Sequence, residues 1–139
     1  FFLIIIVIQI ILGAFLAGLN GGLLYNTWPD MNGNFVPDDI NKKDFYSLLS
    51  FYDASIIQFY HRIAAYILLI FLFILNFIFI NKEIRSSSIL ILNLAILFQV
   101  ILGILTLLSG VKIYYASLHQ LGSVFVLTSF LLIFYKNTN

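Results

Sequence analysis

Long apolar runs separated by polar segments dominate the chain. Four runs approach the ~20 residues that a helix needs to cross a lipid bilayer, and they cover about residues 1–20, 54–80, 88–108 and 114–135. The runs lack the alternation of polar and apolar positions that is typical of a membrane β-barrel. The pattern therefore predicts an all-α, polytopic membrane protein built as a bundle of four transmembrane helices.

The polar connections between these runs differ greatly in length. The first is a long loop at about residues 21–53, whereas the other two are short turns. In the long loop, apolar residues at helical spacing predict a short amphipathic helix on the membrane surface: Phe45, Leu48, Leu49 and Tyr52. Asp53 directly precedes the second run and is expected to cap its helix. Because long loops cross the membrane regardless of their charge, we expect this loop outside and the Lys82–Arg85 turn inside.

The sequence contains an internal repeat. Residues 9–13, Gln-Ile-Ile-Leu-Gly, match residues 99–103, Gln-Val-Ile-Leu-Gly. Residues 61–65, His-Arg-Ile-Ala-Ala, are echoed at 119–123 by His-Gln-Leu-Gly-Ser. The repeat predicts two helical hairpins of common origin, with the long loop inserted into the first.

His61 and His119, the only two histidines of the chain, lie near the starts of the second and fourth predicted helices. Their positions along these helices place them within roughly 5 Å of equal membrane depth. An ionisable residue inside a membrane is by default a candidate functional residue. Imidazoles on facing helices of a bundle can act as the axial ligands of a haem iron. One turn deeper lie small residues that leave room for a porphyrin: Ala64, Ala65, Gly122 and Ser123.

Simpler roles remain open for each polar residue. A membrane histidine can merely hydrogen-bond a neighbouring helix, and we expect such inter-helix bonding of Gln9 and Gln99. Zinc fits the histidine pair poorly, because a zinc site takes three or four protein ligands. Arg62 is either a cation that anchors its helix at the interface or a partner for haem propionates. The same two roles are open for Lys112.

Composition narrows the functional classes. Only 9% of the residues are charged, against about 25% in a soluble domain. The net charge of +1 gives no support for nucleic-acid binding, and the absence of cysteine excludes disulfides and thiolate metal sites. Because the chain starts at Phe1 inside an apolar run, we expect an N-terminal remainder to be missing.

Three motifs carry a resemblance to a known family. They are the Asn-Thr-Trp-Pro element at 26–29 with its surrounding loop at 17–37, Gln-Phe-Tyr-His-Arg at 58–62, and Leu-His-Gln-Leu-Gly at 118–122. Together they resemble the haem A synthase family in its proteobacterial and mitochondrial form. The likeness covers the whole chain and corresponds to the C-terminal four-helix half of such a protein.

This resemblance implies a function. Members of the family oxidise the C8 methyl group of haem O to the formyl group of haem A, for assembly of cytochrome c oxidase. It implies that His61 and His119 ligate the iron of a haem b, with Arg62 as a further cofactor-binding residue. The haem O site and an acidic residue, in the place of Gln58, belong to the N-terminal half. We therefore expect this segment alone to bind haem b without catalysing the reaction, and its catalytic residues are unknown.

Other functions and partners follow from the same residues. A stand-alone bis-histidine b-type cytochrome that relays electrons in the membrane is the main alternative, and a haem-free membrane scaffold or transporter subunit is a second. The expected partners are membrane lipid, the N-terminal half of the same protein, and haem O synthase or oxidase assembly factors. The expected location is a bacterial inner membrane or a mitochondrial inner membrane.

Overall fold

The computed structural model describes residues 1–80 and 86–138, and four α-helices account for most of them. The helices are α1 (Phe2–Gly18), α2 (Ala54–Ile80), α3 (Ser86–Leu108) and α4 (Ile113–Thr138). The described residues form no β-strand. The predicted all-α class is confirmed, and the helix bounds fall within three residues of the predicted ones.

Three of these helices, α2, α3 and α4, are long and apolar enough to span a membrane. Helix α1 is also apolar, but its 17 residues fall just short of the ~20 expected for a span. The chain is therefore a multi-pass membrane protein. The Lys82–Arg85 turn, on which the expected orientation depends, lies outside the described residues, so that orientation stays a prediction.

The helices pack as two hairpins, α1 against α2 and α3 against α4. Residues of all four helices share one apolar core, which includes Ile6, Leu68, Ile96 and Val126. These residues come from the end of each helix that lies away from the two histidines. The bundle is thus closed by apolar packing at one end, whereas polar side chains cluster towards the other.

A reciprocal pair of amides links the two hairpins. Asn76 Nδ2 on α2 donates to Asn93 Oδ1 on α3 over 2.8 Å, and Asn93 Nδ2 donates back to Asn76 Oδ1 over 2.7 Å. Both amides thereby satisfy each other in an otherwise apolar region. Sequence analysis gave no indication of this pair.

The loop between α1 and α2 consists mainly of turns. Three short 3-10 turns interrupt it, at Gly21–Leu23, Ile40–Lys42 and Ser47–Leu49. The predicted amphipathic helix is therefore wrong, since only the Ser47–Leu49 turn forms there. The side chains of Phe45 and Tyr52 remain 71% and 90% exposed. A short helix is marginal without burial of its apolar face, which explains why the spacing alone does not produce one.

Asp53 ends this loop and begins α2. Its Oδ1 accepts hydrogen bonds from the backbone N–H groups of Ser55 and Ile56, at 3.1 and 3.2 Å. These groups have no partner inside the helix, so the carboxylate caps it. The predicted capping role of Asp53 is confirmed.

Candidate functional site

The imidazoles of His61 on α2 and His119 on α4 face each other across the bundle. Their ring centroids are 6.5 Å apart and the ring planes are inclined by 83°. Both rings are partly buried. The equal depth inferred from helix positions is thus reproduced by the fold, although the residues are 58 positions apart in the sequence.

The ring of His61 rests against α1. Gln9 Nε2 lies 3.3 Å from His61 Nε2, within hydrogen-bonding distance. One turn along α1, Gly13 faces the same ring so closely that a Cβ atom there would lie 3.2 Å from His61 Cε1. The first helix therefore presents an amide and a bare backbone to this histidine.

The ring of His119 rests against α3 in a related way. A Cβ atom on Gly103 would lie 2.9 Å from His119 Cε1, and Gln99 Nε2 donates to the backbone carbonyl of His119 over 2.5 Å. In each hairpin the Gln-x-x-x-Gly segment thus contacts the histidine of the paired helix. Gln9 bonds the ring of His61, whereas Gln99 bonds the backbone of His119. The expected inter-helix hydrogen bonds of Gln9 and Gln99 are confirmed.

Gly122 has a role other than the one expected. The smallness of this residue, one turn beyond His119, makes room for the carboxamide of Gln99, which a Cβ atom would strike. The structure therefore explains this glycine by helix packing rather than by space for a porphyrin.

Each histidine keeps one buried nitrogen without a partner. Nδ1 of His61 and Nδ1 of His119 are both inaccessible and have no hydrogen-bond partner among the described residues. A metal between two imidazoles, about 2 Å from each nitrogen and with each nitrogen about 1 Å from its ring centre, would set the centres about 6 Å apart. The observed 6.5 Å between the ring centres therefore fits a metal held between the two imidazoles.

Such a metal would need ligands beyond the two imidazoles. Across residues 1–80 and 86–138, no group of three or more His, Cys, Asp or Glu side chains could hold a metal ion. A porphyrin supplies four nitrogen ligands of its own and needs only the two axial positions from the protein. The donor set therefore fits a haem better than a bare metal ion.

Arg62 binds the loop that follows α1. Its Nη1 donates to the carbonyls of Thr27 and Asp30, at 3.1 and 2.7 Å, and its Nη2 donates to the carbonyl of Tyr25, at 2.8 Å. Nε is buried and has no hydrogen-bond partner in residues 1–80 and 86–138. Neither an interfacial anchor nor a propionate partner predicts these three bonds, so sequence reasoning missed what the guanidinium contacts in the fold.

The same loop is held at two further points. Gln58, 1% exposed, donates from Nε2 to the carbonyl of Tyr25 over 3.0 Å. Asn26 Nδ2 donates to the carbonyl of Leu107 at the end of α3 over 3.0 Å. The loop therefore bridges both hairpins at the end of the bundle where the histidines lie. Sequence analysis did not predict this role of the loop.

Lys112, the other cation with an open role, and an apolar cavity beside α1 complete the description. Lys112 is exposed in the turn between α3 and α4. Ala14 and Gly18 of α1 line an apolar cavity of about 440 Å³, which Phe51 and Tyr52 of the loop also line.

Comparison with known proteins gives a consistent result. The model of a family described as cytochrome oxidase assembly protein matches residues 1–131. A protein named heme A synthase from Pelagibacter ubique is 58% identical over all 139 residues, which make up 41% of its length. No solved structure gives a significant match.

More distant relatives carry the same name. A heme A synthase from Rickettsia bellii is 38% identical over 125 residues, covering 88% of this chain and 37% of the relative. One from Wolbachia of Brugia malayi is 40% identical over 121 residues, covering 87% of this chain and 35% of the relative. The chain thus spans about two fifths of the length of the relatives it matches. Since these relatives are bacterial, the membrane that α2, α3 and α4 are suited to span is the bacterial inner membrane.

Proposed function

Because the chain belongs to the haem A synthase family of cytochrome oxidase assembly proteins, we propose that it forms the haem b-binding half of such a synthase. The complete protein would oxidise the C8 methyl group of haem O to a formyl group. That activity would make it an oxidoreductase of haem A biosynthesis, and thus a contributor to cytochrome c oxidase assembly.

The observation that carries this proposal is the pair of facing imidazoles. His61 and His119 would supply the two axial nitrogens, since their ring centroids are 6.5 Å apart, close to the separation of two imidazoles on one iron. A haem held by two histidines supplies one-electron redox chemistry. The protein's own part is to hold both rings in place and to keep the site in an apolar, partly closed bundle.

Arg62 would act at the polar edge of this site. Its two Nη atoms are engaged by the loop, but the buried N–H at Nε has no partner within the part of the chain that the structure describes. A haem propionate near that edge would find a charged donor there. We therefore retain Arg62 as a cofactor-binding residue, with the loop-holding role beside it.

The reaction itself belongs to the rest of the complete protein in this proposal. The amide of Gln58 is tied to the carbonyl of Tyr25 and lacks the proton-transfer capacity of a carboxyl group. In this proposal the N-terminal half contains the haem O site. The complete protein would also contact haem O synthase or oxidase assembly factors. The segment alone is expected to bind haem b without converting haem O.

An absorption difference spectrum tests the ligand assignment. The protein as the cell produces it, purified in detergent, should show the reduced-minus-oxidised spectrum of a low-spin b-type haem. His61→Ala and His119→Ala should each abolish that low-spin signal, because one axial ligand is lost. Gln120→Ala, an exposed neighbour of His119, is the matched control and should keep the signal. A wild-type protein without low-spin haem, or variants that retain it, would refute the proposal.

A further inference from the structure

The loop that follows α1 also contacts the second hairpin, at the end of the bundle where the two histidines lie. We propose that Gly22 and Asn26 of this loop clasp the turn between α3 and α4, and thereby hold His119 opposite His61. Asn26 is a positioning residue, which acts on the haem through the spacing of its two ligands. The inference rests on the proposed haem ligation and deepens it.

The carboxamide of Asn26 bonds both sides of this clasp. Its Nδ2 donates to the carbonyl of Gly22 over 2.7 Å and to the carbonyl of Leu107 over 3.0 Å. Leu107 lies in the last turn of α3, where carbonyl groups have no partner within the helix and are available as acceptors. One amide group thus bonds the loop and the second hairpin at once.

Gly22 brings the loop into direct contact with the turn between α3 and α4. A Cβ atom at Gly22 would lie 2.9 Å from Cγ2 of Val111, closer than the about 3.5–4.0 Å at which carbon atoms pack best. Val111 has a φ of +58°, which β-branched residues rarely adopt and which persists only where the surrounding structure determines it. The loop therefore touches the turn at a residue whose backbone is held in an unfavourable conformation.

The clasp acts where the other described ties between the hairpins are remote. The apolar core and the amide pair of Asn76 and Asn93 join the hairpins towards the opposite end. Asn76 lies 15 positions beyond His61 on α2, or about 22 Å along the helix axis. Hairpins that are fixed at one end can pivot about it, and a pivot moves the far end most. The separation of 6.5 Å between the ring centroids of His61 and His119 therefore depends on a tie close to the histidines.

This clasp bears on how firmly the cofactor is retained. Two imidazoles on one iron must separate before the cofactor can leave, and the hairpins cannot part at this end while Asn26 bonds Leu107. Loss of one hydrogen bond changes an equilibrium by roughly two- to tenfold. A loosened clasp should therefore speed haem release by about that factor, and it should relax the 83° angle between the two ring planes.

The test measures haem release from the protein as the cell produces it, by transfer to an excess of apomyoglobin. Asn26→Asp keeps the shape of the side chain but removes both N–H donors, and it should release haem roughly two- to tenfold faster than the wild type. Its ferric low-spin EPR signal should also change, because the g values depend on the angle between the imidazole planes. A variant that merely lowered stability would leave that signal of the folded protein unchanged. Asn41→Asp, at an exposed asparagine of the same loop, is the matched control and should behave as wild type in both measurements.

A cysteine pair tests the clasp independently of Asn26. The 2.9 Å between a Cβ atom at Gly22 and Val111 Cγ2 puts the two Cβ positions no more than about 4.4 Å apart, within the range of a disulfide. Gly22→Cys combined with Val111→Cys should therefore form a disulfide on mild oxidation. Haem release should be slower from the oxidised variant than after its reduction, whereas oxidation should not change the rate in either single variant.

The outcomes separate this inference from the proposed function. Equal release rates in Asn26→Asp and Asn41→Asp, or equal rates before and after reduction of the disulfide, would overturn the inference and leave the two histidines as ligands. A cysteine pair that formed no disulfide would also overturn it, since the loop and the turn would not be in contact. If Asn26→Asp did not accumulate, the cysteine pair would decide the question. A wild-type protein without low-spin haem would instead remove the proposed function itself.

Discussion

Unpaired polar atoms concentrate at a few residues around the two histidines. Among the described residues, the buried side-chain atoms without a hydrogen-bond partner include Gln9 Oε1, Gln58 Oε1, His61 Nδ1, Arg62 Nε, Gln99 Oε1 and His119 Nδ1. Each such atom costs about 1–3 kcal/mol when it stays unpaired. Several unpaired polar atoms close together are typical of a site that binds a ligand. Their position around the two histidines agrees with the proposed haem site.

Replacement of Arg62 by lysine tests the bonds between this residue and the loop. Lysine keeps the positive charge but cannot reproduce the fork that reaches the carbonyls of Tyr25, Thr27 and Asp30. We expect the loop to dock more weakly, by about 2 kcal/mol. Trp28, the only tryptophan of these 139 residues, lies in this loop, so acrylamide quenching of its fluorescence should increase.

The matched control for this experiment is Lys112→Gln, which removes an exposed cation elsewhere in the chain. It should leave the quenching of Trp28 unchanged. If Arg62→Lys also left the quenching unchanged, the charge alone and not the hydrogen-bond geometry would be holding the loop.

At the scale of single elements, the loop before α2 is fastened by a cluster of charged groups. Lys43 Nζ lies 3.0 Å from Asp39 Oδ2 and 2.5 Å from Asp53 Oδ2. The hydroxyl of Ser55 lies within hydrogen-bonding distance of both aspartates, 2.6 Å from Asp39 Oδ2 and 2.8 Å from Asp53 Oδ1. The cluster joins the middle of the loop to the capping residue of α2. The position of the loop therefore depends on the start of that helix.

The ionisation of these groups follows from their contacts. Partial burial raises the pKa of Asp39 and Asp53, but hydrogen bonds from Ser55 and Lys43 outweigh it, and both pKa values lie below the ordinary one. Burial likewise lowers the pKa of Lys43, but its bonds to Asp53 and Asp39 outweigh that effect, and this pKa is raised. All three groups are therefore charged at neutral pH.

This ionisation predicts how loop docking depends on pH. The contribution of the two aspartates is complete above their ordinary pKa of about 3.9 and is lost as pH falls through the lowered folded values. The contribution of Lys43 is complete below its ordinary pKa of about 10.4 and is lost as pH rises through the raised one. Quenching of Trp28 should accordingly be constant near neutrality and increase at both extremes.

Lys43 and its neighbour Lys42 provide a test and a matched control for this role of the charged cluster. Lys43→Met should raise the quenching of Trp28 at neutral pH, because it leaves Asp39 and Asp53 without their shared cation. Lys42→Met alters an exposed side chain one position away and should behave as wild type. Equal behaviour of the two variants would contradict the proposed fastening of the loop.

At the scale of the whole molecule, the bundle has two unlike ends. The apolar core joins all four helices at one end, and the histidines with their glutamines and the loop occupy the other. Between the hairpins the amides of Asn76 and Asn93 form the reciprocal pair described above. Such inter-helix polar pairs contribute about 0.6–2 kcal/mol in membranes, and here the pair fixes the register of α2 against α3.

A double-mutant cycle tests this link between hairpins. Asn76→Leu or Asn93→Leu alone should destabilise the protein by about 1–3 kcal/mol, because each leaves a partly buried amide without its partner. The double variant should lose less stability than the sum of the two single losses, because neither amide is then left unpaired. The measurement is the free energy of unfolding in detergent, and strict additivity would show that the amides do not interact.

The sequence by itself determined the four helices, the Asp53 cap, the internal repeat and the two histidines as a pair. These features depend on local hydrophobicity, on neighbouring residues or on identity at matched positions. The predicted amphipathic helix was wrong because apolar spacing is not sufficient for a short helix. Its apolar face also needs a surface to pack against, and the described fold does not provide one.

Only the tertiary structure decided what the polar side chains contact. The pairing of Gln9 with the His61 ring, the three carbonyls on Arg62 and the reciprocal amides of Asn76 and Asn93 join residues 17 to 52 positions apart. Such contacts depend on how helices rotate and slide against each other. A helix made of Leu, Ile and Phe is apolar on nearly every face. The pattern therefore predicted the helices but not which of their faces meet.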